Sequence, residues 1–499
     1  MDLLANLALG FEAAFTPLNL TYCLIGVLAG TLVGVLPGLG PTATIAMLLP
    51  ASFALPPVTA LIMLAGIYYG AQYGGSTTAI LVNLPGEATS IVTAIDGYKM
   101  AQKGRAGPAL ATAALGSFFA GCVSTLVIAI FAPPLAAAAL AFESPEYFSL
   151  MILGLIASVA LARGSILKAI GMIMVGMLLG LVGTDVSSGA RRYTFGIGEL
   201  MDGVGFVQVA MGVFGVTEIL RNIEHEIKNP RLIVKVTSLM PTREDFRRMV
   251  APIFRGTILG SALGVLPGGG PLLASFGSYS MEKRLSKHPE EFGEGAIEGV
   301  AGPESANNAG AQTAFIPMLT LGIPSTPTMA LMIGAMILQG IQPGPSVVTE
   351  QPALFWGIIV SMWLGNLMLV VLNLPLVGLW VRLCMIPYHL LYPAILVFCA
   401  IGAFSLSNSI FDIQLIVLFG LVGYLLAKLE LDPAPMMLAL ILGPMMEQNL
   451  RRSMTIARGD VFVFVERPIS LIILLISAAV LALAVLPMIR KKRDEAFVE

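Results

Sequence analysis

The segment GVLPGLGPT, residues 34–42, lies inside a hydrophobic stretch and yet holds two prolines and three glycines in nine positions. A proline in a helix interior removes a backbone donor and clashes with the preceding turn, so this segment breaks a helix. The device returns as GVLPGGGPL, residues 264–272. The match extends upstream, because GVLAGTLVGVLPGLGP (26–41) aligns without gaps on GTILGSALGVLPGGGP (256–271). Gly26 meets Gly256, Gly30 meets Gly260, and the Gly-Val-Leu-Pro-Gly run is shared. A weaker pair follows: YGGSTTAILVNLPGEATS (73–90) faces AGAQTAFIPMLTLGIPSTPT (309–328), each ending in a Pro/Gly break rich in Ser and Thr.

Composition puts these breaks in a membrane. The 499 residues are 57% hydrophobic and 12% charged, against about a quarter charged in soluble proteins. No charged side chain occurs from Ala13 to Gly86, Ala106 to Phe142 or Ser305 to Thr349, and each run exceeds the roughly 20 residues a spanning helix needs. The expected fold is an all-α polytopic membrane protein of about 11–12 spans, with two inverted repeats containing broken or re-entrant helices. Spans are read near 18–36, 57–72, 108–131, 146–162, 165–184, 200–220, 250–266, 353–383, 386–406, 410–428 and 468–489. Pieces near 42–56, 76–95, 271–281, 306–320 and 325–342 are too short or broken to be simple spans. The acidic opening, with no basic residue before Lys99, predicts no cleaved signal peptide.

The expected organisation is repeat one with scaffold helices (1–220), a basic cytoplasmic loop (221–250), repeat two with its scaffold (251–490) and a cytoplasmic tail (491–499). Residues 221–255 hold eight Lys or Arg against four acids, and basic segments stay cytoplasmic during insertion. Repeat one has its basic residues after its motif (Lys99, Lys103, Arg105), whereas repeat two has them before (Arg243, Arg247, Arg248, Arg255). A basic flank that swaps ends predicts repeats entering from opposite faces.

Unpaired backbone groups in hydrocarbon cost several kcal/mol each, so a break persists only where protein, water or ligand supplies partners. Interrupted helices in inverted repeats are the architecture of secondary transporters, in which helix N-termini face an anion near the midplane. Gly26, Gly30 and Gly34 fit helix packing; the doubled prolines fit a ligand or gating role. In GVAGPESANNAGAQT (299–313), a helix start at Pro303 would put Asn307 and Asn308 on its first turn. Glu304 reads equally as an interfacial cap or a cation ligand, and Glu87 reads as a boundary charge in preference to a ligand. Cys23, Cys122, Cys384 and Cys399 share no metal-ligand spacing and read as free thiols. No metal site, nucleophile constellation or phosphate loop is present in the sequence, so no enzyme and no bound cofactor are expected. A net charge of −2 points to no nucleic-acid partner; the lipid bilayer is the expected surrounding. A channel with re-entrant pore loops is the alternative reading.

The quoted motifs, with GIQPGP (340–345), closely resemble the large membrane subunit of the bacterial tripartite tricarboxylate transporters over nearly the whole chain. The resemblance implies a bacterial inner-membrane permease driven by an ion gradient. It further implies a small membrane subunit of about four spans and a periplasmic substrate-binding protein that captures an organic carboxylate such as citrate. It places Pro37, Gly38, Gly40, Pro41, Thr42, Gly74, Gly75, Ser76 and Thr77 in one half of the substrate site. Pro267, Gly268, Gly269, Gly270, Pro271, Asn307, Asn308, Gly322, Pro324, Ser325 and Thr326 form the other. None of these carries charge, so a co-transported sodium ion or proton must offset the anion, with Thr42, Asn308 and Glu304 as candidate ligands.

Overall fold

The computed structural model describes residues 3–36, 40–83, 86–161, 165–185, 188–224, 239–266, 270–383 and 408–485, with a few positions between 392 and 404. Among these the fold is almost wholly helical, apart from a hairpin pairing Gly183–Thr184 with Arg191–Arg192. The first half runs through α1 (Leu3–Ala14), α2 (Pro17–Val35), α3 (Pro41–Phe53), α4 (Pro57–Val82), α5 (Ile91–Met100) and α6 (Ala106–Ala139). Then come α7 (Ser144–Leu161), α8 (Ile166–Gly180), α9 (Phe206–Ala210) and α10 (Thr217–Glu224). The second half holds α11 (Arg243–Gly264), α12 (Gly270–Leu285), α13 (Glu298–Thr313), α14 (Phe315–Leu321), α15 (Pro327–Leu338), α16 (Ser346–Glu350) and α17 (Pro352–Asn373). Helices Ile410–Lys428, Ala434–Ile456 and Pro468–Val485 follow.

Local chemistry sets the boundaries. Proline stands first in α2, α3, α4 and α15, where its missing N–H costs nothing. Thr16 and Thr326 cap α2 and α15, and Thr242 with Asp245 forms a capping box on α11. Among the described residues four helical stretches are long and apolar enough to cross a membrane: Pro17–Val35, Ala88–Ala139, Pro352–Asn373 and Ile410–Lys428. Six shorter apolar helices accompany them. The chain is a multi-pass membrane protein.

The sequence repeat returns as a packing repeat. A Cβ on Gly26, Gly30 or Gly34 would fall 2.3, 2.4 or 2.4 Å from the carbonyl oxygens of Met63, Ile67 and Ala71. On Gly256, Gly260 or Gly264 it would fall 2.3, 2.2 or 2.4 Å from those of Gly302, Ala306 and Gly310. Only glycine lets these backbones approach so closely. The contacts fix two offsets, 230 residues for the first helix (26 to 256) and 239 for the second (63 to 302). The 239 offset also carries Asn83 onto Gly322, which end α4 and α14 in the left-handed region at φ 55° and 70°. The looser pairing of 73–90 with 309–328 is thereby corrected by one to three residues.

Three sequence expectations differ from the structure. α4 runs unbroken from Pro57 to Val82, so Gly74–Thr77 lie inside a helix; Gly74 serves close packing, since its Cβ would sit 2.4 Å from the Thr31 carbonyl oxygen. Pro303 lies inside α13, which begins at Glu298, so Glu304, Asn307 and Asn308 are mid-helix and buried. The span read at 353–383 is two helices, α17 and Val377–Leu383, parted by a turn at 374–376. Most of 386–406, the loop segment 225–238 and the tail from 486 lie outside the described residues.

Contacts between helix ends set the directions. α2 and α4 start together, where Thr59 Oγ1 donates to Asn19 Oδ1 at 2.5 Å. α11 and α13 start together, where Arg248 forms a two-pronged pair with Glu298 at 2.8 Å. Near the end of α5, Asp96 Oδ1 accepts the N–H groups of Gly293, Gly295 and Ala296, just ahead of α13. After α15, Gln339 donates to the carbonyls of Ser52 and Leu55, just ahead of α4. The basic flanks also meet, through an Arg105–Asp245 ion pair and a Lys103 hydrogen bond to the Glu294 carbonyl.

Candidate functional site

Four chain breaks converge on one cavity of about 790 Å³. Gly40–Ala43 contribute the start of α3, Pro271 and Leu272 that of α12, and Thr326–Thr328 that of α15. Glu87–Thr89, between α4 and α5, supply the fourth. The halves are cross-linked here: Thr42 Oγ1 lies 2.8 Å from Thr328 Oγ1, and Ser275 Oγ donates to the Thr89 carbonyl at 3.1 Å. Helix N-termini present unpaired N–H groups and about half a positive charge each, which suits an anion. Tyr68 and Gln72, one turn apart on α4, complete the inner wall.

A charged rim surrounds this floor. Lys168 at the start of α8, Glu218 and Arg221 on α10, and Glu430 and Asp432 after Ile410–Lys428 line the outer part of the cavity. The two cations come from scaffold helices; nothing in its local sequence marks Lys168, and Arg221 opens the basic segment read as a loop.

Glu87 is half-buried on the floor. Thr89 Oγ1 donates to Glu87 Oε1 and also stands 3.1 Å from Gln72 Oε1, while Asn307 Nδ2 lies 3.4 Å from Glu87 Oε1. Glu304, one turn before Asn307, is fully buried away from the cavity. Its carboxylate accepts from Ser76 at 2.6 Å and from Thr93, joining α13 to α4 and α5. Asn308 donates to Ser117 Oγ at 2.7 Å and to the Glu304 carbonyl at 3.1 Å.

Of the residues singled out in the sequence, the cavity takes Gly40, Pro41, Thr42, Pro271 and Thr326. Pro37, Gly38, Pro267, Gly268 and Gly269 lie outside the described residues. Gly74, Gly75, Ser76 and Thr77 are one layer behind: Gly75 backs onto Glu87, and Thr77 bonds back to Tyr73. Gly270 packs at the α12 start, where a Cβ would meet the Leu263 carbonyl oxygen at 2.4 Å. Gly322 ends α14, Ser325 donates to the Ala314 carbonyl at 3.3 Å, and Pro324 is buried between them.

The sequence matches the family described as the tripartite tricarboxylate transporter TctA family over residues 20–438. The chain belongs to this transporter family. It is 64% identical over 499 residues to an uncharacterized 52.8 kDa protein in the TAR-I ttuC' 3' region of Agrobacterium vitis, covering 100% of this chain and 99% of that protein. An uncharacterized protein in the TAR-II ttuC' 3' region of the same organism is 62% identical over 240 residues, 48% of this chain and 99% of its own length. No solved structure matches. Membership of the TctA family gives the converging breaks a transport context. The wall residues Tyr68, Gln72, Thr89 and Thr328 were not singled out in the sequence; the 239-residue offset pairs Thr89 with Thr328 and Tyr68 with Asn307, while Gln72 falls on Ala311 and has no such signal.

Proposed function

We propose that the chain is the large permease subunit of a binding-protein-dependent secondary transporter that imports a small organic anion, a tricarboxylate or related carboxylate, across the bacterial inner membrane. The convergence of four chain breaks on one cavity carries the reading. A periplasmic binding protein delivers the anion, a small membrane subunit of about four spans accompanies the permease, and an ion gradient drives accumulation. Helix starts and hydroxyls grip the carboxylates, while cations offset their charge, because an unpaired charge at depth costs several kcal/mol.

The halves are proposed to be inverted, which suits alternating access. In support, α5 ends where α13 begins and α15 ends where α4 begins. The rim carries Arg221, the first residue of the basic segment assigned to the cytoplasm, which supports an inward-facing cavity. Single cysteines at 103 and 243 should label from one face and a cysteine at 345 from the other; labelling of all three from one face overturns the inversion.

The test of transport is uptake of labelled carboxylates into proteoliposomes holding permease, small subunit and binding protein. Saturable accumulation above equilibrium under an imposed ion gradient is expected. Saturation-free flux that only equilibrates would make the protein a channel, and substrate conversion would make it an enzyme.

A further inference from the structure

The two carboxylates beside the breaks, half-buried Glu87 and fully buried Glu304, are not equivalent, and the difference locates a cation. Around Glu87 hydrogen-bond acceptors outnumber donors. The single Thr89 hydroxyl proton cannot serve both Glu87 Oε1 and Gln72 Oε1, although Thr89 Oγ1 lies within reach of each. Asn307 is fully buried, and its Nδ2 lies against Glu87 while its Oδ1 has no hydrogen-bond partner. Turning the Gln72 amide supplies a proton to Thr89, yet the Asn307 oxygen remains unpaired. Turning Asn307 instead would aim its oxygen at the carboxylate. A buried unsatisfied oxygen beside a carboxylate and a hydroxyl is what a small hard cation requires. Glu304 differs in having a separate hydroxyl against each oxygen, Ser76 at 2.6 Å and Thr93, although Ser76 Oγ also lies 3.0 Å from the Gln72 carbonyl oxygen.

The other half of the molecule supplies the control. The 239-residue offset carries Glu87 onto Thr326, and carries Tyr68 onto Asn307. The contacts are exchanged accordingly: Asn307 reaches Glu87, and Tyr68 reaches Thr326. The framework is duplicated, while the carboxylate and the amide oxygen occur only at the first break.

We propose that Glu87, Thr89 and, behind them, Asn307, with Gln72 beside them on the wall, hold a sodium ion at the cavity floor, entered from the cavity and adjacent to the bound anion. Glu304 then ties α13 to α4 and α5 and positions Asn307 one turn on. This assignment rests on the transport reading and names the ion ligand within that site.

The test is direct binding of radioactive sodium to the purified full-length chain in detergent, at fixed pH and without substrate or binding protein. Binding is therefore read independently of transport, and a sodium site without uptake would sink the transport reading alone. Wild-type protein should bind sodium saturably. Glu87→Gln and Asn307→Ala should each weaken it at least about tenfold, the scale of losing a partner to a charge. Each variant should keep a monodisperse elution profile, and Glu87→Asp, which keeps the charge, should recover part of the affinity. No saturable sodium binding by the wild type overturns the proposal in favour of a proton. Loss of binding in Glu304→Gln, with retention in Glu87→Gln, overturns the choice of carboxylate.

Discussion

The breaks at 83–90 and 322–328 share a scaffold and differ in chemistry. Each follows a helix ended by a left-handed residue, Asn83 or Gly322, and each opens a new helix with hydroxyls beside the cavity. At the first break Glu87 sits beneath Asn307, whereas at the second Thr326 sits beneath Tyr68. Duplication therefore supplies the shape of the cavity, and divergence of a few side chains supplies its polarity. On the reading proposed above, one half keeps a cation while the other stays neutral for the anion.

One asymmetry of the scaffold is where the largest effect is expected. Gly86 packs so tightly that a Cβ would fall 2.1 Å from the Gly34 carbonyl oxygen and 2.7 Å from the Gly75 Cα. The matching position of the second break holds Ser325. Backbone atoms cannot yield as a flexible side chain would, and overpacking of this kind costs about 1–3 kcal/mol or more. Gly86→Ser should abolish uptake and broaden the elution profile of a fluorescent fusion, while Ser325→Gly keeps both. A Gly86→Ser protein that elutes and transports normally would show that the two breaks tolerate the same residue.

Exchanging the polar residues attacks the comparison directly. Glu87→Thr should raise the sodium concentration needed for half-maximal uptake at least about tenfold, and Thr326→Glu should weaken carboxylate uptake on a similar scale by setting a like charge at the anion's floor. The double exchange should not recover activity, because Tyr68 offers no amide oxygen to replace Asn307. Recovery in the double exchange would make the halves interchangeable and remove the basis for a one-sided cation site.

The rim lies outside the repeat and should matter less. Arg221 is paired at 3.6 Å with Glu218 and lines the outer cavity, where salt screens its field. Arg221→Gln should raise the apparent KM for release-side exchange by about threefold at low ionic strength, and the gap should close as salt rises. A salt-independent loss would instead place Arg221 in contact with the anion.

How far the sequence carried these distinctions depends on what repeats. Membrane class and broken helices were legible because prolines and glycines act through their own backbone, wherever they are. The first half of the repeat was legible because both copies need glycine at the same three contacts. The second half was obscured: its helices keep a common geometry with unlike residues, Tyr68 against Asn307 and Glu87 against Thr326. Reading Glu87 as a boundary charge followed from its place in the chain, since the fold back under α13 is a tertiary event. Reading a helix start at Pro303 relied on proline's preference for first turns, whereas α13 holds it internally within a fully buried packing layer. Lys168 and Arg221 reach the cavity from separate scaffold helices; Lys168 carries no local pattern, and Arg221 was legible only as the start of a basic loop.

The smallest effect expected concerns the hydroxyl pair that ties the neutral sides together. Thr42 and Thr328 are 2.8 Å apart, and either hydroxyl can donate. Both line the cavity, so water can replace a lost partner, and the net contribution is about 0.5–1.5 kcal/mol. Thr42→Val and Thr328→Val should each change the KM for uptake by no more than about tenfold, with little change in folded yield. The informative quantity is their coupling. If the bond joins the halves through the whole transport cycle, the double variant should cost scarcely more than either single one. If the bond forms only when the cavity faces inward, the two changes should act on exchange from the inside and leave uptake from the outside nearly additive. Additive effects in both directions would mean that the hydroxyls serve the anion separately, and that the two halves are joined at this floor by backbone packing alone.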